Sequence, residues 1–187
     1  MPSKHHTDDV YVQKRRPKNP IKFNVQLNEE QKLAKQLILE SPITAIKGMA
    51  GSGKTLVATQ VALDLLFTKQ VEKIIITRPT VSKEDIGFLP GDLQAKRTFV
   101  KSFVIVDEAQ NVTHNQMETV IGRLGKDSRM VICGDMAQID LKDKRETGFS
   151  FLARLEENVP GFSTVSLEHN HRHSIVAPIL EVYRTFR

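Results

Sequence analysis

Residues 48–55 read Gly-Met-Ala-Gly-Ser-Gly-Lys-Thr, a glycine-rich stretch closed by a lysine and a hydroxyl residue. A short apolar run at 43–46 precedes it, and apolar residues at helical spacing follow at Val57, Val61 and Leu65. Glycines let the backbone wrap closely around phosphate groups, and the start of a helix adds positive partial charge. Strand, glycine loop and helix in this order therefore predict a phosphate-binding loop.

Two residues at the end of this loop have predicted roles of their own. Lys54 adds a full positive charge for the phosphates, and the Thr55 hydroxyl is expected to hold Mg²⁺. A glycine-rich turn that binds nothing is the alternative, and it leaves the helical register of the following residues unexplained. The residues predicted to bind the nucleotide are Gly48, Met49, Ala50, Gly51, Ser52, Gly53, Lys54 and Thr55.

Length and composition are those of one globular domain. The chain has 187 residues, of which 40% are hydrophobic and 26% are charged. No apolar run approaches the roughly 20 residues that cross a bilayer, so no membrane association is expected. Cys133, the only cysteine, lies in an apolar run, which favours a small buried thiol and a reducing, cytoplasmic setting. The net charge of +5 alone is weak evidence for a polyanionic partner.

Strand-like and helical patterns alternate after a polar N-terminal stretch. Residues 1–24 are expected to form a flexible or loosely docked arm, and residues 25–187 one α/β domain. Asn28 is a predicted N-cap, with Gln31 three residues later. Strand-like runs fall at 43–47, 73–77, 103–106, 130–133 and 163–167. Helical patterns fall at 54–67, 114–124, 148–157 and 175–186. This rhythm predicts a parallel sheet of about five strands with helices on both faces.

The third strand ends in two adjacent carboxylates, Asp107 and Glu108. A buried strand that ends abruptly in charge suggests a cation at its end. With the glycine loop upstream, we expect Asp107 to hold Mg²⁺, directly or through water, and Glu108 to polarise the attacking water. Solvated acids at a strand end are the alternative.

The fourth strand is followed by a tight polar turn, Gly134-Asp135, with Gln138 three residues beyond the aspartate. Gln138 is expected to reach the γ-phosphate or the attacking water and so to sense the third phosphate. The plainer interpretation is a surface glutamine after a Gly-Asp turn.

Three motifs in this order resemble the first motor domain of the superfamily 1 helicases. Further segments resemble the PhoH family, a group of single-domain, helicase-like ATPases of bacteria and their phages. The segments that carry this resemblance are Ile-Thr-Arg-Pro at 76–79, Gly-Phe-Leu-Pro-Gly-Asp-Leu at 87–93, Asp-Glu-Ala-Gln-Asn at 107–111 and Gly-Asp-Met-Ala-Gln-Ile-Asp-Leu at 134–141.

The resemblance implies a single RecA-like P-loop NTPase domain that hydrolyses ATP. It places Thr77, Arg78 and Pro79 where related helicases meet the nucleic-acid backbone. It also places Gln31 where a glutamine amide reads adenine, although a helix cap alone explains that residue equally well.

Arg172 matches the family's Arg-His element, and the resemblance implies an oligomeric ring, in the first place a hexamer. In such a ring, Arg172 acts in a neighbour's active site as an arginine finger. A surface arginine that caps a helix end is the alternative.

The chain departs from the family near residues 93–102, where its members carry a longer segment. The stretch from Pro79 to Ser102 also has little helical pattern, so the crossover there is thinner than a parallel connection usually needs. The function that the resemblance implies is ATP hydrolysis coupled to binding or remodelling of single-stranded nucleic acid, RNA in the first place. A nucleotide-gated switch that does not translocate is the main alternative, and a small-molecule kinase is a weaker one.

Overall fold

A single five-stranded parallel sheet forms the centre of the domain. The computed structural model describes residues 26–79 and 98–186, so the predicted arm at 1–24 and most of the thin crossover lie outside the described residues. The strands are β1 (Ile43–Gly48), β2 (Lys73–Thr77), β3 (Ser102–Val106), β4 (Arg129–Gly134) and β5 (Phe162–Leu167). They lie in the order β2-β3-β4-β1-β5, and every neighbouring pair is parallel. The predicted strands are confirmed to within a residue at either end.

Five α-helices accompany the sheet in the described residues. They are α1 (Glu29–Glu40), α2 (Lys54–Phe67), α3 (His114–Ile121), α4 (Leu152–Asn158) and α5 (Val176–Thr185). The helix predicted at 114–124 ends earlier, at Ile121, before Gly122. The helix predicted at 148–157 begins as a separate 3₁₀ turn, Gly148–Phe151, because the Thr147 hydroxyl accepts a hydrogen bond from the Phe149 amide there.

The sheet separates two apolar layers, as the alternating directions of strand side chains require. One layer contains α1 and α2, and the predicted stripe of Val57, Val61 and Leu65 is buried there against Ile105. The other contains α3, α4 and the 3₁₀ turn, packed on neighbouring strand residues such as Val104. Helices therefore lie on both faces, as predicted.

Helix α5 has a different environment. Its N-terminal neighbour Ile175 and the apolar residues Ile179 and Val182 are 58%, 46% and 57% exposed, and the helix has no buried residue. The periodicity at 175–186 therefore predicts the helix correctly, whereas its apolar stripe faces outward instead of packing on the sheet. None of the helices in the described parts of the chain has both the length and the apolar content to cross a membrane.

The strand order determines where the candidate residues meet. Strand β4 lies between β1 and β3, so the ends of these three strands are neighbours. The glycine loop follows β1, the two carboxylates follow β3 and the Gly-Asp turn follows β4. Loops beyond the carboxyl ends of parallel strands are the usual position of a ligand site in α/β proteins.

Candidate active site

The glycine loop has a backbone shape that side chains would disrupt. Gly51 and Gly53 have φ values of +91° and +87°, which L-residues rarely adopt. A Cβ atom on Gly51 would lie 2.5 Å from Cγ of Arg172, and one on Gly53 would lie 2.5 Å from Nε2 of Gln31. The two glycines thus let neighbouring side chains approach the loop backbone directly.

Lys54, the first residue of α2, lies across the loop. Its Nζ donates to the backbone oxygens of Gly48 at 2.7 Å and Met49 at 2.9 Å. The Ser52 hydroxyl oxygen is buried and has no partner among the described residues, and a buried polar atom of this kind usually has one. A cationic lysine over a glycine-rich cradle that contains an unpaired hydroxyl fits the phosphates of a nucleotide.

Thr55 and Asp107 come together as predicted for a metal pair. The Thr55 hydroxyl donates to Oδ1 of Asp107 at 3.0 Å, and Asp107 is 8% exposed. A hydroxyl and a carboxylate are oxygen ligands of the kind Mg²⁺ takes when substrate phosphates complete its shell. No cluster of three or more His, Cys, Asp or Glu side chains that could hold a metal occurs within the described ranges. The two residues fit a magnesium ion shared with phosphate and water.

Glu108 is held by Gln110, which lies in the 107–111 segment that carries the family resemblance but had no predicted role. Nε2 of Gln110 donates to Oε2 of Glu108 at 2.7 Å and to the backbone oxygen of Gln138 at 3.2 Å. Oε1 of Gln110 accepts from the Asp135 amide at 3.0 Å. Gln110 is 1% exposed, so this buried amide joins the turns after β3 and β4. The sequence signal for this residue was its place in the 107–111 segment, which does not by itself reveal its contacts.

The turn after β4 also contacts the glycine loop. Oδ2 of Asp135 accepts from the Ala50 amide at 2.8 Å and from the Gln138 side chain at 2.6 Å. Oδ1 accepts from the Ala137 amide at 2.9 Å, which closes the turn. Gln138 is exposed, as the alternative interpretation of a surface glutamine expects. Its side chain is nevertheless held by Asp135 at the edge of the site.

Of the residues predicted to bind phosphate or metal or to act in catalysis, five line one small pocket, namely Ala50, Lys54, Asp107, Glu108 and Gln138. The pocket is also bounded by Gln110, Gly134 and Asp135. Cys133 lies just behind this pocket and is fully buried, as its apolar run predicted. Burial raises the pKa of the Cys133 thiol far above its ordinary value, and the charge of Asp107 adds to this effect. The thiol therefore stays protonated and serves as a packing residue.

Arg78 lies against the two carboxylates predicted to act in catalysis. Its Nη2 donates to Oδ2 of Asp107 at 3.1 Å and lies 3.6 Å from Oε1 of Glu108. Of the other residues predicted to meet nucleic acid, Thr77 is 1% exposed and Pro79 is half-buried. Only Arg78 of these three has an exposed side chain, and the sequence did not indicate that it contacts the site.

Gln31 caps α1 and also contacts the glycine loop. It completes a capping box with Asn28 at the start of α1, and its Nε2 donates to the Ser52 backbone oxygen at 3.1 Å. Nε2 of His171 lies 3.1 Å from the Gln31 amide nitrogen, and the His171 amide donates to the Gly51 oxygen at 3.0 Å. The helix cap is therefore present, and the same side chain touches the glycine loop.

Arg172 lies against the glycine loop of its own chain. The Gly51 position has the Cγ and Nε atoms of Arg172 as its nearest neighbours, and the Arg172 amide donates to Oδ1 of Asn170 at 2.9 Å. The side chain is exposed. Arg172 therefore lies at the edge of the glycine loop, and its positive charge is next to the loop of its own chain.

Comparison with known proteins gives relatives for almost the whole described chain. A family model described as PhoH-like protein matches residues 25–97 and 97–184. A PhoH-like protein of Bacillus subtilis (strain 168) is 34% identical over 179 residues, which cover 73% of this chain and 56% of that protein. A PhoH-like protein of Synechocystis sp. is 32% identical over 189 residues, covering 78% of this chain and 58% of that protein. The chain therefore spans less than two thirds of the length of these relatives.

Among solved structures, the Pif1 helicase of Candida albicans has the same fold. It superposes with a TM-score of 0.54 at 15% identity, covering 84% of this chain and 43% of that one. At this identity the likeness concerns the fold alone, and it confirms the predicted RecA-like α/β architecture. The family model matches most of the chain, and a relative is more than 30% identical over more than two thirds of it, so the chain belongs to the PhoH family.

Proposed function

We propose that the chain is a Mg²⁺-dependent ATPase whose hydrolysis is coupled to binding single-stranded nucleic acid, RNA in the first place. The observation that carries the proposal is the convergence of Lys54, the Thr55–Asp107 pair and Glu108 on one small pocket. A strand end carrying a metal carboxylate beside a glycine loop is the arrangement that P-loop NTPases use. A reducing, cytoplasmic setting suits the single buried thiol.

Each residue of the pocket has a separate part in the proposed reaction. Lys54 and the loop amides bind the phosphates, and Thr55 with Asp107 holds the metal, which when bound neutralises charge on the phosphates. Glu108 orients the attacking water and takes its proton, while Gln110 fixes the carboxylate from behind. Gln138 lies where it can detect the third phosphate, next to Asp135 and the loop amide of Ala50.

Water is a better acceptor here than a small molecule. A kinase needs an acceptor pocket beside the phosphates, whereas the pocket at this site is small and lined by carboxylates and amides. The nucleotide-gated switch remains a second candidate. It is supported by the exposed apolar face of α5, which is a surface suited to a partner.

The first experiment is ATP hydrolysis with and without single-stranded RNA and DNA, with Glu108→Gln as the blank. The variant removes the base and keeps the shape of the side chain. Stimulation by one polymer, abolished in the blank, supports the proposal and identifies the preferred polymer. Hydrolysis that is indifferent to both polymers would favour the switch, and hydrolysis that persists in Glu108→Gln would contradict the assignment of the base.

The proposed ring raises the question of where Arg172 acts. Its contact with the loop of its own chain supports action within one chain, and the family resemblance supports action in a neighbour. The test mixes inactive Glu108→Gln chains with inactive Arg172→Ala chains at equal concentration and measures hydrolysis. Recovery of activity in the mixture supports a ring with the arginine acting in trans. Absence of recovery, with assembly confirmed by light scattering, supports action within the chain.

A further inference from the structure

Arg78 connects the surface proposed for nucleic acid to the carboxylates proposed for hydrolysis. It lies directly after β2, which pairs with β3 along its whole length. The Asp107 amide donates to the Thr77 oxygen at 2.8 Å, so the sheet pairing extends to the residues flanking the site. The short distance from Arg78 to both carboxylates is therefore set by the sheet.

The hydrogen bonds of the two carboxylates leave few free positions. Asp107 accepts from Thr55 on Oδ1 and from Arg78 on Oδ2. Glu108 accepts from Gln110 on Oε2, which leaves Oε1 as the oxygen for the attacking water. That oxygen is the one 3.6 Å from the Arg78 guanidinium. Arg78 therefore lies beside the Asp107 oxygen that Thr55 does not contact and beside the Glu108 oxygen left for the attacking water.

The same guanidinium is accessible to an external anion. The Arg78 side chain is 65% exposed, whereas the side chains of Asp107 and Glu108 are 12% and 39% exposed. Arginine binds phosphate oxygens with paired, charge-assisted hydrogen bonds. An ion pair this exposed is weak, so a phosphodiester group can displace the carboxylates from Arg78.

The geometry points to Arg78 as the residue that couples nucleic acid to hydrolysis, acting as a releasable brake. In the free protein, the Arg78 guanidinium pairs with the carboxylates of Asp107 and Glu108. When a phosphate of single-stranded nucleic acid binds Arg78, Asp107 and Glu108 are released to the metal and the water. This inference rests on the proposed function, and it adds the residue through which the polymer stimulates hydrolysis.

The first test replaces Arg78 by methionine, which has a similar length and no charge. We expect Arg78→Met to raise hydrolysis without polymer by about five-fold, the size that an exposed ion pair allows, and to abolish further stimulation by single-stranded RNA. Lys73→Ala, which removes an exposed positive charge from the same strand, is the matched control and should keep stimulation. An unchanged or lower basal rate in Arg78→Met, with full stimulation retained, would overturn the inference.

A second readout does not depend on activity. If the carboxylates and the polymer compete for Arg78, then Glu108→Gln should raise the affinity of nucleotide-free protein for a fluorescent single-stranded RNA. That rise should disappear when Arg78→Met is added, because the competing contact is already absent. An additive double variant would overturn the coupling while leaving RNA binding established. If the wild-type protein binds neither RNA nor DNA, both this inference and the nucleic-acid part of the proposed function fail.

Discussion

Gln110 shows how one buried amide can set the position of a carboxylate that is proposed to be catalytic. Its oxygen accepts from the Asp135 amide, and its nitrogen donates to Glu108 and to the Gln138 backbone. A glutamine provides a donor and an acceptor on one rigid plane, so a shift of one turn is transmitted to the other. The turns after β3 and β4 are therefore held in a fixed position relative to each other.

Replacing Gln110 by alanine tests this arrangement. We expect the rate of hydrolysis to fall by about 10²-fold, because a small displacement of a catalytic group has that effect. Nucleotide affinity should change little, since Lys54 and the loop are untouched. The unpaired Asp135 amide should lower the free energy of unfolding by about 1–3 kcal/mol. The rate is measured as kcat, the affinity as the Kd for nucleotide, and the stability by urea unfolding.

The matched control for that variant is Gln36→Ala, which removes a glutamine that is exposed on α1. It should leave kcat and stability close to those of the wild-type protein. A Gln110→Ala protein with normal kcat would show that Glu108 does not depend on its neighbour for position.

One substitution can separate the helix-cap role of Gln31 from its predicted role in reading adenine. Glutamate at this position still completes the capping box of α1, because its carboxylate accepts from the Asn28 amide. It has no donor, however, and adenine presents both an acceptor and a donor to a bound amide. We expect Gln31→Glu to lose about tenfold of the preference for ATP over GTP, measured as the ratio of kcat/KM values.

Thermal unfolding is the control for the Gln31 variants. Gln31→Glu keeps the acceptor of the capping box, but it loses the donor to the Ser52 oxygen and places a charge at a buried position, so it should lower the melting temperature. Gln31→Ala loses both contacts and should lower the melting temperature as well as the selectivity. If Gln31→Glu keeps the full preference for ATP, the residue is a helix cap and adenine is read elsewhere.

At the scale of elements, β4 and the 3₁₀ turn at Gly148–Phe151 depend on the absence of one side chain. A Cβ atom on Gly134 would lie 2.6–2.8 Å from three carbon atoms of the Phe149 ring. Phe149 is completely buried, so the ring has no space to retreat. The close packing of this ring fixes the end of β4, from which the Asp135 turn begins.

Gly134→Ala should therefore overpack this contact and lower the free energy of unfolding by about 1–3 kcal/mol. Adding Phe149→Leu removes the ring that the new methyl group meets. The double variant should then be less destabilised than the sum of the two single variants, as measured by urea unfolding of all three proteins. Strict additivity would mean that the two residues do not interact as the structure indicates.

The elements themselves were predictable, and the contacts between them were not. Apolar runs bounded by polar turns located all five strands, because burial on both faces imposes that pattern. The helical pattern at 148–157 does not distinguish the 3₁₀ turn at Gly148–Phe151 from α-helix, because the apolar spacing is similar. The outward face of α5 was not predictable, since periodicity reports that a face is apolar and not what covers it.

The candidate site follows the same division. Lys54, Asp107 and Glu108 could be assigned from motifs, because their roles require fixed residue types beside a strand end. The contact of Arg78 with the carboxylates depends on β2 pairing with β3, and the contact of His171 with Gln31 joins residues far apart in the chain. Such long-range contacts have no local signal in a single sequence.

At the scale of the whole molecule, a nucleotide should stabilise the domain through the loop. At a ligand concentration of 100 times Kd, binding adds about 2.7 kcal/mol to the free energy of unfolding. For a protein of this size we expect the melting temperature to rise by roughly 5–10 °C. Lys54→Ala should show no rise with the same nucleotide, and a normal rise in that variant would contradict the assignment of Lys54.

Two segments from opposite ends of the described domain contact each other beside the glycine loop. A carboxylate oxygen of Glu30, in α1, accepts from the Glu168 and His169 amides, and His171 then reaches both Asn28 and the loop. A displacement of the segment after β5 would therefore also displace the start of α1 and the glycine loop. Under the proposed ATPase function, a partner bound to the exposed α5 would alter product release and so set the turnover rate from outside the pocket.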